Sequence, residues 1–188
     1  MDEDGKQGVQ RLTRQDWLTR ALEALEESGE RGLSVSELAR SLGVSRGSFY
    51  WHFHDRADLL QSILDYWKDE LTVAVRETSR WAESPKEIVR ETARLVGEVD
   101  AARYDVPIRA WAAHDERVEG IVREVDEIRL DWFRRQLRTM GFRGQDLEAR
   151  ARLVLYSLMA EAEMSDHRDK RRDPKLQQRM LEIILLPC

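Results

Sequence analysis

Residues 33–53, LSVSELARSLGVSRGSFYWHF, carry two helix starts so close together that only two short helices and a tight turn fit between them. The first start has Ser34 as N-cap, Glu37 three residues on to complete a capping box, and Leu33 spaced to staple against Leu38. Leu38, Ala39 and Leu42 form an inner face. Gly43 then stands where the backbone must leave the helix in a left-handed conformation that is costly for any residue with a Cβ. Ser45 caps the second helix, eleven residues after the first cap, and Val44 and Phe49 repeat the staple spacing. The pattern predicts a helix-turn-helix.

The second of these helices has an unusual outer face. Only Phe49 and Phe53 point inward, while Arg46, Gly47, Ser48, Tyr50, Trp51 and His52 face out. Hydrogen-bond donors, flat rings and one glycine that bares its backbone suit a DNA major groove and its phosphates. A solvated helix capping a core is the plainer reading of such a hairpin, but large exposed rings usually mark a contact surface.

The run GVSRGSFYWHFHDRADLL, residues 43–60, resembles the recognition-helix signature of the TetR family of transcriptional regulators. In that signature a Tyr-x-His-Phe run is followed by a basic residue and a leucine-rich fourth helix. The resemblance covers roughly residues 14–64; beyond it the chain matches the family only in length and helical layout. Arg56 stands where lysine is usual, and Gly47 offers no side chain at a position that often has one. The family implies an all-α fold of about nine helices: an N-terminal arm and three-helix DNA-binding domain in residues 1–54, then a ligand-sensing and dimerisation domain in 55–188. It also implies a homodimer formed through the last two helices, a palindromic double-stranded DNA operator and a small-molecule effector. On that basis Ser45, Tyr50, His52 and Arg56 hold phosphates and Arg46, Ser48 and Trp51 meet base edges or thymine methyls; Gly47 completes the DNA-binding set, without a side chain to read a base.

Charge weighs against a nucleic-acid partner. The 188-residue chain carries a net charge of −5, and between Val9 and Arg56 seven arginines are balanced by Asp16, Glu23, Glu26, Glu27, Glu30, Glu37 and Asp55. A domain that binds DNA without sequence preference is expected to be basic. Four of those acids fall late in the first helix and in the loop after it, however, and Arg11, Arg14, Arg46 and Arg56 are placed to gather at one edge. Local sign matters more than the sum. With 36% charged residues, a mean hydropathy of −0.61 and no run near the roughly eighteen apolar residues of a membrane span, the chain reads as cytoplasmic. Its one cysteine, Cys188, excludes an internal disulfide and any cysteine-rich metal site.

The remaining helix signals follow in order. Residues 1–12 read as a mobile arm. The first helix runs 13–28, with Thr13 and Asp16 as a capping pair, an apolar stripe of Leu18, Ala21, Leu22 and Leu25, and Gly29 as its stop. Asp55 caps a long fourth helix expected to reach about Arg80, with Leu59, Leu60, Ile63, Leu64, Trp67, Leu71, Ala74 and Val75 as its stripe. Ser84, Pro85 and Glu87 start the next, to about Val99. Asp105 and Pro107 open a shorter helix, Asp115 a long one ending at Gly141, Asp146 another to about Met164, and Pro174 the last. The charged run from His167 to Arg172 reads as a solvated connection.

Catalytic chemistry finds little support: there is no phosphate loop, nucleophile elbow or histidine ligand pair at helical spacing, and His52 and His54 diverge. The reading is not an enzyme, with no catalytic residue, metal or cofactor. In the second domain Trp67, Tyr104, Trp111, Trp132 and Tyr156 offer rings with polar handles, and with His114 they are the candidate effector pocket; Arg103, Arg109 and His114 are the polar groups near them in sequence, any one of which can orient an anionic ligand. Each ring is by itself more often core. The rival reading is a helical enzyme or carrier that uses this aromatic cavity and docks proteins through its N-terminal hairpin.

Overall fold

The computed structural model describes residues 12–73, 76–77, 80–99, 101–164 and 174–186. The arm up to Arg11, Ala74 and Val75, the charged run from His167 to Arg172, and Cys188 lie outside them. The described residues form nine α-helices and no strand. The chain divides into two compact units, the first ending at Ile63 and the second beginning at Leu64. That division falls inside the fourth helix.

In the first unit, α1 (Arg14–Gly32) opens on the expected box: Thr13 Oγ1 accepts from the Asp16 amide at 3.2 Å and the Asp16 carboxylate accepts from the Thr13 amide at 2.7 Å. These bonds from Thr13 hold the Asp16 carboxyl below its ordinary range. Gly29, at φ +68°, interrupts the helix where its stop was predicted, and one more turn follows to Gly32. Helix α2 (Val35–Ser41) ends in a Schellman turn: the Gly43 amide donates to Arg40 O at 3.1 Å and the Val44 amide to Ala39 O at 3.0 Å, with Gly43 left-handed at φ +69°. Helix α3 (Arg46–Phe49) follows at once.

The caps of α2 and α3 differ from expectation. Ser34 and Ser45 have the extended backbone of N-caps, but neither hydroxyl bonds its helix, so the predicted Ser34–Glu37 box does not close. What holds these two short helices is burial: Leu33, Leu38, Ala39, Phe49 and Phe53 are all sealed. Asp55 caps α4 (Arg56–Lys68), accepting from the Asp58 amide at 2.9 Å; that bond first, and then His54, lowers the Asp55 carboxyl.

The second unit contains α5 (Pro85–Val99), α6 (Asp105–Ala112), α7 (Glu116–Thr139), α8 (Gly144–Met164) and α9 (Pro174–Ile184). Ser84 Oγ accepts from the Glu87 amide at 3.2 Å and Asp115 Oδ1 from the Arg117 amide at 3.0 Å, so both predicted starts form. Gly141, at φ +101°, ends α7 as expected. The core joins Val89 and Ala93 of α5, Leu130, Phe133 and Leu137 of α7, Val154, Leu155 and Leu158 of α8, and Leu181 of α9.

Helix α4 does not run to Arg80 in α-form. After Lys68 the chain widens into a π-turn over Asp69–Val73. A buried polar node stands beside it. The Asp105 carboxylate accepts from Trp67 Nε1 at 2.7 Å and from Arg129 at 2.6 and 3.1 Å, while Arg129 also donates to Thr72 Oγ1 at 3.1 Å and lies over the Trp67 ring at 5.3 Å.

A second ionic group joins α7 to α8. Arg134 donates to both carboxylate oxygens of Glu148 at 2.8 and 2.9 Å and also meets Glu127 and Asp131. Arg134 first, and Arg152 after it, pull the Glu148 carboxyl down from 4.5 to about 2. Because the folded-state value is the depressed one, this contribution is complete above pH about 4.5 and is lost as pH falls toward about 2. Glu148→Gln should therefore lower the urea midpoint at pH 7 and leave it close to that of the parent at pH 2. An equal deficit at both values would show that charge is not what Glu148 contributes.

Candidate nucleic-acid interface

The outward face of the hairpin is built from the inside. The Phe49 ring is fully buried, meeting Trp17 edge-on at 5.5 Å and stacking on Phe53 at 5.2 Å. These anchors turn the rest of the segment outward: Tyr50 is 56% and Trp51 79% exposed, Ser45, Arg46 and Gly47 are exposed, and Ser48 and His52 are half-buried. The α-helix stops short of Phe53, the second of the predicted inward positions. Only four residues are α-helical, after which the His52 amide donates to Phe49 O at 2.9 Å and the Phe53 amide to the same oxygen at 3.0 Å. The backbone thus keeps turning as far as its second anchor.

Beside this segment lies a hollow of about 560 Å³, lined by Thr13, Ser45, Gly47, Ser48, Trp51 and His52 among others. Hydroxyls and an imidazole line one surface that a polyanion can approach.

Arg56 and Arg14 are engaged elsewhere. Arg56 donates from Nε to Leu33 O at 2.9 Å and from its terminal nitrogen to Glu30 Oε1 at 2.7 Å and to Glu30 O, bracing the start of α4 against the end of α1. Arg14 donates to Ser62 Oγ and lies over the Phe53 ring at 4.9 Å. The predicted gathering of arginines at one edge thus comes down, among the described residues, to Arg46.

Residues 18–63 match the family model for bacterial regulatory proteins of the tetR family. This N-terminal stretch is a TetR-family DNA-binding domain. It is 32% identical over 80 residues to the HTH-type transcriptional regulator AcrR of Shigella flexneri, a match covering 42% of this chain and 37% of that protein. It is 30% identical over 111 residues to the HTH-type transcriptional regulator BetI of Pseudomonas paraeruginosa, covering 57% and 55%. The chain thus spans between about a third and just over half the length of these relatives. Among solved structures, a transcriptional regulator from Rhodococcus sp. Rha1 superposes with a TM-score of 0.74 at 20% identity over 93% of this chain and 94% of that one. FadR from Bacillus subtilis, solved with stearoyl-CoA, does so at 0.69 and 17% over 92% and 98%. At such identities the likeness is one of fold alone.

In the second unit the six predicted pocket residues differ in exposure and in partners. Trp67 is sealed and bonded to Asp105, Trp111 is buried, and Trp132 is half-buried with Nε1 donating to Thr92 Oγ1 at 3.1 Å. Tyr104 is half-buried under the Arg103 guanidinium, while His114 and Tyr156 are exposed. Arg109 is salt-bridged to Asp126. A cleft of about 1000 Å³ opens between α5 and α9, lined by Trp81, Glu87, Arg90, Arg94, Gln178 and Leu181 among others; the six are not among the residues lining it. Its residues are charged helix-face positions that no periodicity distinguishes from solvated ones. Trp17 was also missed: its spacing of four residues to Ala21 and Leu25 was the available signal.

Proposed function

We propose that this chain is a ligand-responsive transcriptional regulator that acts as a repressor, binds a palindromic operator as a homodimer and leaves it when a small molecule binds the second unit. The observation that carries this reading is the outward display of Arg46, Ser48, Tyr50 and Trp51 on a segment pinned from beneath by Phe49 and Phe53. Arg46, Ser48 and Trp51 meet base edges, while Ser45, Tyr50 and His52 meet phosphates. Arg56 acts from behind as the brace described above. Its place in the family signature supports a part in DNA binding, which in this chain is served by holding the hairpin.

Dimerisation has support in the last two helices, where Leu153 and Tyr156 of α8 and Leu176 and Ile183 of α9 are each more than half exposed. A dimer of this kind sets two recognition segments about 34 Å apart, in successive major grooves. The α5–α9 cleft is large enough for a small effector. Ligand and operator then weaken each other's binding by the same factor.

Selection of bound duplexes from random DNA tests the reading. The expected product is a palindrome whose affinity falls steeply with salt. No enriched sequence would end the DNA-binding reading, and enrichment of a lone half-site would end the homodimer. On the selected duplex, Arg46→Ala should relax base preference at an unchanged melting temperature, whereas Arg56→Ala should lower the melting temperature and the affinity for all sequences together. Loss of affinity by Arg56→Ala without any loss of stability would return Arg56 to the phosphates.

A further inference from the structure

Gly47 is not explained by its own protein. Its φ lies outside the left-handed range, unlike those of Gly29, Gly43, Gly141 and Gly144, so no backbone conformation demands glycine there. A Cβ at this position would meet only Ser45 Oγ, at an ordinary 3.5 Å. Within a helix, alanine is the more stabilising residue. A glycine that costs helix stability and relieves no crowding fits a place where something outside the chain comes close to the backbone.

What lies next to it suggests what comes close. Trp51, four residues on, presents a ring that is 79% exposed, and both residues line the hollow beside the recognition segment. We infer that Gly47 and Trp51 act as one specificity-determining element, a slot floored by the bare Gly47 backbone and walled by the Trp51 indole, which seats the 5-methyl group of a thymine in the major groove. The methyl is the one apolar group that a base pair projects there. The Gly47 Cα and the face of the indole are the apolar surfaces placed to cover it. This inference rests on the DNA-binding reading and adds which base is read and by what.

The test uses the full chain and a duplex selected by it from random DNA. Each thymine is exchanged in turn for deoxyuridine, which removes only the methyl group. One thymine per half-site should then lose about three- to fivefold in affinity, the worth of one buried methyl. Gly47→Ala should melt at the same temperature as the parent or higher, bind the selected duplex about tenfold more weakly, and no longer distinguish thymine from deoxyuridine at that position. Trp51→Ala, a change at a solvent-facing ring, should also fold and lose the same distinction. Gly47→Ala binding like the parent, every exchange being silent with the parent, or a methyl effect persisting in either variant would overturn the slot. Failure of the parent to select any duplex would instead overturn the DNA-binding reading on which the slot rests.

Discussion

Asp105→Ala should destabilise the second unit by about 3–5 kcal/mol, more than any exposed ion pair in the chain can contribute. Asp105 is 3% exposed and its carboxylate is the acceptor for both the Arg129 guanidinium and the Trp67 indole N–H. Alanine leaves a nearly buried positive charge uncompensated and an indole donor without its partner. The penalty comes from the groups left behind, which is why a second variant separates the causes. Asp105→Leu combined with Arg129→Met removes both charges and fills their volume, and should regain most of the loss. Urea unfolding followed by circular dichroism reads both. A cost below about 1 kcal/mol for Asp105→Ala would show that the node does not hold the chain where α4 gives way to the π-turn.

Phe49→Ala should have the largest effect on the first unit, about 3–5 kcal/mol of lost stability together with loss of sequence-specific DNA binding. The recognition segment has four α-helical residues and no side-chain cap, so little of its order is local. Its position comes from the Phe49 ring against Trp17 and Phe53. Without that ring Tyr50 and Trp51 have no fixed direction, and contacts that depend on direction vanish with it. Phe49→Leu, which keeps an apolar anchor of nearly the same reach, should retain binding within about tenfold. Thermal melts alongside titrations of the selected duplex distinguish the two. Undiminished sequence-specific binding by Phe49→Ala would mean that the outward face is organised by something other than its inner anchors.

Much of this was legible from residue order. Gly43, Gly29 and Gly141 marked helix ends because a left-handed residue is a local demand. Thr13 with Asp16, Ser84 with Glu87, and Asp115 marked starts because a cap and its amide lie within one turn of each other. The inward aim of Phe49 and Phe53, and the outward aim of the residues between them, followed from helical spacing alone. The misses came where two elements compete for one group. Ser34 and Ser45 had the residue type of a cap, yet burial of neighbouring leucines and phenylalanines holds those helices without their hydroxyls. The bonds of Arg56 to Glu30 and Leu33, 26 and 23 residues earlier, are likewise ones that its sequence neighbours do not reveal.

Residue order alone settled where most helices start, that a helix-turn-helix lies in residues 33–53, and which of its side chains look outward, because each depends on contacts within a turn or two of the chain. Only packing decided that α4 widens at Asp69, that Trp67 serves a buried carboxylate, and that a cleft opens between α5 and α9. Those outcomes depend on which distant groups meet. A buried charge must find its partner wherever packing brings one, and the spacing of residues along the chain carries no record of that meeting.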